Sequence, residues 1–261
     1  MVGGAVVRGE AIMIVEVKAA TDLGLRRPQN EDSHGEWIPS TAEERGRRGN
    51  LIVVADGMGG SRAGEVASRL AVDTVLRCYR EAPGEDLLED LHHAVEDANR
   101  VVHQESVAHP EHSGMGTTCT AVVLRGADAF IAHVGDSRAY LIRDGEIRQL
   151  TRDHSLVAQL VRDGQLTPAQ AKVDPRRNVV TRSVGVGAHV EIDADSVPGI
   201  LRLGDTVLVC SDGLHGVVAD EELKAAASRP DLGEGCREAI QLANDRGGPD
   251  NITVVLARVR A

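Results

Sequence analysis

The sequence predicts an α+β fold with antiparallel sheets, on three observations. Short β-branched runs and longer helical-period segments come in blocks, without the strict strand-helix alternation of a doubly wound fold. In LIRDGEI (141–147), Asp144-Gly145 separates two apolar runs, the pattern of a type I′ hairpin. Two segments of helical period follow each other directly, joined only by EAPGED (81–86), as in an αα-hairpin.

In chain order, strands are predicted at 11–18 and 51–55. One helical stripe then carries Val66, Leu70, Val75 and Tyr79, and the next carries Leu87, Leu91, Val95, Ala98 and Val102. Strands at 119–124, 128–134, 138–143 and 146–150 follow, the last three expected as one antiparallel meander. Further strands are expected at 189–194, 205–210 and 252–258, with helices at 155–163, 219–228 and 234–245. The polar, arginine-rich stretch 164–188 carries two prolines and reads as a surface excursion of the kind that holds functional loops. With no repeat and no Pro/Ser-rich linker, the simplest account is one domain over 1–261, its core about 11–259.

Composition excludes several classes. A formal charge of −11, with three lysines among 29 basic residues, argues against a grip on nucleic-acid phosphates. Cys78, Cys119, Cys210 and Cys236 form no C-x-x-C pair, which fits a reducing, cytoplasmic setting. AIMIVEVKAA (11–20) is broken by Glu16 and Lys18, so neither a signal peptide nor a membrane span is expected.

The chemistry narrows by elimination. VVADGMGGSRAG (53–64) runs a strand into glycines and a helix expected from about Arg62, but Arg62 stands where a dinucleotide fingerprint needs its third glycine. No lysine has the setting of a phosphate-binding Walker loop. Cys119 and Arg125 have the spacing of a thiol phosphatase, yet the residues between them, TAVVL, read as a strand. CSDGLHG (210–216) is no nucleophile elbow.

What recurs is aspartate at the end of an apolar strand: Asp56, Asp136 and Asp212, with Asp250 at a strand start. One such residue is ordinary turn chemistry. Four crowded on one rim repel one another unless cations lie between them, and all-oxygen ligands suit Mg²⁺ or Mn²⁺. GLRRPQNED (24–32) adds Glu31 and Asp32, with Arg26 or Arg27 as a guanidinium shaped for phosphate; alone, it reads rather as a surface turn with a chance ion pair.

Taken in order, GLRRPQNED (24–32), ADGMGG (55–60), GMGTT (114–118), VGDSR (134–138), TRDHS (151–155), NVVTRSVG (178–185), CSDGL (210–214) and GPDNIT (248–253) resemble the type-2C metal-dependent protein serine/threonine phosphatases, the PPM family, in its bacterial single-domain form. The resemblance implies two packed antiparallel sheets flanked by helices on both sides, an αββα sandwich. It implies two Mn²⁺ or Mg²⁺ ions and, as in bacterial relatives, often a weaker third. Asp56 would bridge the two core ions with the Gly57 carbonyl beside it, and Asp212 and Asp250 would complete one shell. Glu31 and Asp32 would hold the other ion mainly through waters, and Asp136 with Asp212 would serve the third.

By the same resemblance Arg27 would bind the substrate phosphate, and Arg27, Asp56, Asp212 and Asp250 would carry catalysis. The reaction would be direct attack of a metal-bridging hydroxide on phosphoserine or phosphothreonine, and the partners phosphoproteins made by a bacterial serine/threonine kinase. The stretch 164–188 corresponds to the family's flap, expected to shape substrate choice through Arg176, Arg177 and Arg182. Met58 departs from eukaryotic relatives, whose histidine there is the presumed acid for the leaving group. His154 reads as structural or catalytic, and His133 as core. The alternative, a non-catalytic phosphoprotein-binding module of the same fold, would usually have lost Asp56, Asp212 or Asp250, and all three are present.

Overall fold

The computed structural model describes residues 13–59 and 63–260. In chain order, β1 (Ile14–Asp22) and β2 (Asp32–Trp37) lead through α1 (Ala42–Arg48) to β3 (Asn50–Met58) and the helix pair α2 (Ala63–Glu81) and α3 (Leu87–Ala108). The short β4 (Gly116–Thr117) precedes β5 (Cys119–Arg125), β6 (Asp128–Val134), β7 (Arg138–Arg143) and β8 (Glu146–Gln149). There follow α4 (Leu156–Arg162), α5 (Pro168–Val173), β9 (Asp193–Val197), β10 (Thr206–Cys210), α6 (Asp212–His215), α7 (Asp220–Ala227), α8 (Leu232–Asp245) and β11 (Ile252–Arg260).

The strands form two antiparallel sheets, ordered β1-β11-β10-β7-β8 and β2-β3-β5-β6-β9, with β4 paired to the end of β3. Successive residues of a strand point to opposite faces, so each central strand feeds two cores. Ile52 and Val54 of β3 meet Val207 and Val209 of β10 between the sheets. Leu51, Val53 and Ala55 instead pack under α2 and α3, and Leu208 and Cys210 under α7 and α8. Burial on both faces is why these strands read as unbroken apolar runs. The layers are helix, sheet, sheet, helix, the αββα sandwich expected. α2 and α3 pack on each other as the expected hairpin, and their stripes are buried at Val75, Tyr79, Leu87, Leu91, Val95, Ala98 and Val102.

Several expectations need correction. The meander over 128–150 does not form: β7 and β8 make the Asp144-Gly145 hairpin, but β6 pairs with β5 and β9 in the other sheet. The chain changes sheets at Gly135, whose φ of +110° and 2.5 Å clearance between a built Cβ and Thr118 Cγ2 admit only glycine. The strand expected at 11–18 is Ile14–Asp22, and residues 11 and 12 lie outside the described residues, as do Gly60 and Arg62. The strand expected at 189–194 begins only at Asp193. β2, the polar edge strand DSHGEW, was not foreseen because it has neither alternation nor β-branched content. The short helices α1, α5 and α6 were also not foreseen. No described helix is long and apolar enough to cross a membrane.

Candidate metal centre

At one end of the sandwich a cleft of about 520 Å³ is lined by Glu31, Asp56, Asp136, Asp212 and Asp250, with Arg27 also on its wall. Each acid reaches it by a different route. Asp56 lies near the end of β3, directly opposite Asp32, the first residue of β2. Its backbone is held on both sides: Asp56 N–H donates to Thr118 Oγ1 at 2.8 Å, and its carbonyl accepts from Thr118 N–H and Thr117 Oγ1, each at 2.9 Å. Asp212 opens α6 immediately after β10, and Asp250 stands two residues before β11.

Gly57 is required by contact. A Cβ there would lie 2.1 Å from the Gly64 carbonyl oxygen of α2 and 2.6 Å from that of Glu31, so α2 and the Glu31 loop close on bare backbone. Asn251 ties the same loop to β11: its Oδ1 accepts from Glu31 N–H at 2.8 Å, and its Nδ2 donates to the carbonyls of Leu23 and Gln29 at 2.9 and 3.0 Å. Arg27 Nη2 donates to Asp250 Oδ2 at 2.7 Å, an ion pair open to solvent on the arginine side.

The electrostatics are those of an uncompensated anionic site. Burial raises the Asp32 carboxyl to about 7 and the Asp136 carboxyl to about 8, with Asp212 adding to both. Asp56 is raised by burial and then by Asp32 and Asp212, and Asp212 by burial and then by Asp250. Ser211 Oγ donates to Asp32 Oδ2 at 2.7 Å, but the buried Asp32 Oδ1 and Asp212 Oδ1 have no hydrogen-bond partner among the described residues. Buried carboxylate oxygens without donors are costly, and hard divalent cations satisfy both the oxygens and the repulsion. The residues present therefore fit such ions.

Residues 29–247 match the family model described as protein phosphatase 2C. The chain belongs to the protein phosphatase 2C family. It is 39% identical over 247 residues to the serine/threonine protein phosphatase PstP of Mycobacterium tuberculosis, covering 95% of this chain and 45% of PstP. The chain thus spans about half of that relative's length. It is 38% identical over 241 residues to the serine/threonine phosphatase stp of Listeria monocytogenes, covering 90% of this chain and 92% of that protein. A crystal structure of the PstP catalytic domain in complex with two manganese ions superposes with a TM-score of 0.82 at 38% identity, covering 95% of this chain and all of that one. Family membership agrees with the resemblance drawn from the motifs, and the two manganese ions are those of the PstP structure.

Within this protein phosphatase 2C fold, the cleft gathers Arg27, Glu31, Asp56, Gly57, Asp136, Asp212 and Asp250, while Asp32 lies buried behind it against Ser211. Arg176, Arg177 and Arg182 do not line it; the flap residues that do are Asn178 and Val180. Arg176 is paired with Asp174, and Arg182 with Glu191 and Asp193. His133 is buried in β6, its Nε2 donating to the Arg152 carbonyl at 3.1 Å and its Nδ1 facing Thr120 Oγ1 at 2.9 Å. His154 is outside the cleft. Sequence reasoning assigned no role to Thr118, Ser211 or Asn251. Their signal was a hydroxyl or amide next to a strand-end acid or in the adjoining motif, in GMGTT, CSD and PDN.

Proposed function

We propose that this chain is a protein phosphatase hydrolysing phosphoserine and phosphothreonine with two core divalent ions and a weaker third. The observation that carries this reading is the convergence of Glu31, Asp56, Asp136, Asp212 and Asp250 with buried, partnerless oxygens on Asp32 and Asp212. Ions held there supply Lewis acidity, neutralising charge on phosphoryl oxygens and activating water.

Asp56, with the Gly57 carbonyl, would hold both core ions; Asp212 and Asp250 would complete one set and Glu31 and Asp32 the other, while Asp136 with Asp212 would hold the third. Arg27 exchanges Asp250 for the substrate phosphate, a swap its solvent-facing position allows and its bidentate fork suits. Met58 has no proton to give. Among the described residues no histidine, cysteine, tyrosine or lysine lines the cleft, and carboxylates that hold cations carry no proton, so the proton for the departing alkoxide would come from water.

The whole of 1–261 acts as one catalytic domain in the cytoplasm, on phosphoproteins made by a bacterial serine/threonine kinase, with 164–188 as the flap. Support comes from the named relatives and the extent of the family match. Hydrolysis of para-nitrophenyl phosphate with and without Mn²⁺ tests the reading. Metal-dependent turnover that Asp212→Asn abolishes is expected; no metal-dependent turnover, with Asp212→Asn indistinguishable from wild type, overturns it.

A further inference from the structure

Where the chain crosses from β6 to β7, the backbone around Asp136 leaves both ladders and depends on side chains. His154 is bonded to it twice, once through its ring and once through its backbone. Its Nδ1 accepts from Gly135 N–H at 3.1 Å, and its backbone N–H donates to the Gly135 carbonyl at 2.7 Å. Because Nδ1 accepts, the ring proton is on Nε2, which faces Asp193 Oδ2 at 3.3 Å and also lies 3.3 Å from Arg182 Nη1. The His154 carbonyl accepts from Thr181 N–H at 2.7 Å and Thr181 Oγ1 at 2.9 Å, on the flap. Asp193 also takes Arg182 Nη1 at 2.9 Å. One buried residue therefore touches the residue before Asp136, the flap and the start of β9.

We infer that His154 is a positioning residue: its Nδ1 lone pair, by holding Gly135 N–H, sets where Asp136 presents its carboxylate to the metal centre. The inference rests on the reading of Asp136 as ligand to the weakest ion. Gly135 is buried and can take no Cβ, so without Nδ1 its N–H has no partner and the turn relaxes. The other supports of the turn, His215 Nε2 donating to the Asp136 carbonyl at 2.9 Å and the Ser137 Oγ–Thr118 Oγ1 bond at 2.7 Å, hold it from the far side and remain. The defect is thus local to Asp136, and the ions on Asp56 and Asp250 keep their ligands.

Calorimetric titration of Mn²⁺ into the metal-free protein tests this with no reference to turnover. Asparagine can place Oδ1 where Nδ1 stands; glutamine cannot. His154→Gln and His154→Ala are expected to weaken the loosest Mn²⁺ event by about tenfold or more, the usual cost of losing a residue that supports a ligand. The tighter events should be unchanged, and His154→Asn should stay within about threefold of wild type. Equal affinities for the Asn and Gln variants, or a wild-type profile for the Ala variant, overturn the inference. If His154→Ala does not fold, the Asn–Gln comparison decides. A wild-type protein that binds no Mn²⁺ overturns the metal reading of the site itself, and this inference with it.

Discussion

The two sides of the cleft are built by different means. On one, Asp56, Asp212 and Asp250 stand at or near the ends of β3, β10 and β11, so sheet ladders and the cores above and below them fix the acids. On the other, Asp136 and the flap residues Asn178 and Val180 lie on irregular chain held by side-chain bonds and isolated bridges, Ser155 to Val180 and Thr117 to Val184. The ladder side holds its carboxylates rigidly; the crossover side can shift without unfolding a sheet.

The strongest test of that contrast compares two conservative variants. Asp56→Asn should cost at least about a thousandfold in kcat/KM for para-nitrophenyl phosphate, because on the proposed reading the residue would hold both core ions. Asp136→Asn should cost only about tenfold once Mn²⁺ saturates. Equal losses would mean that the two sides work as one unit and that the distinction has no functional content.

The same contrast decides what was legible in the sequence. The ladder side announces itself, since LIVVADG and TVLVCSDG are apolar runs ending in an acid, and a strand buried on both faces must look like that. The crossover side does not. FIAHVGDSRAYLIR (130–143) is locally as good a meander as any, and nothing in it shows that the chain leaves the β5–β6 sheet at Gly135, where a Cβ would meet Thr118. β2 was invisible for a related reason: an edge strand is paired along one edge only and is less enclosed, so its residues stay polar, yet it carries Asp32 to a position opposite Asp56. The roles of Asn251 and Ser211 depend on bonds to Glu31 and Asp32 across more than 170 positions of chain.

Acid should loosen the crossover side. Burial, with His154 beside it, pushes the His133 imidazole down to about 4, and burial pushes His215 down to about 3. For His133 the unfolded chain takes up a proton below about pH 6.5, whereas the folded protein does so only below about pH 4. Its contribution is therefore fully present above about pH 6.5 and is lost as pH falls from there towards 4. Urea unfolding should show His133→Gln, which cannot be protonated, losing about 2 kcal/mol less than wild type between pH 7 and pH 5. Identical pH slopes would show that the ring is not held neutral.

The smallest expected effect separates the three flap arginines. Arg176 donates to both carboxylate oxygens of Asp174, and Arg182 is shared between Glu191 and Asp193, so neither guanidinium is free for substrate. The Arg177 side chain makes no hydrogen bond or ion pair among the described residues, its backbone N–H donating to the Asp174 carbonyl at 3.1 Å, and the residue directly precedes Asn178, which does line the cleft. Any electrostatic help from the flap to an acidic phosphopeptide should thus reside in Arg177. An exposed charge contributes below about 1 kcal/mol, so Arg177→Ala should lower kcat/KM for such a peptide about threefold, an effect that shrinks with salt, and leave para-nitrophenyl phosphate hydrolysis unchanged. Arg176→Ala should be silent on both substrates. A larger loss from Arg176→Ala than from Arg177→Ala would mean that the shape the Asp174 pair gives the flap matters more than its charge, and would move the crossover side closer in character to the ladder side.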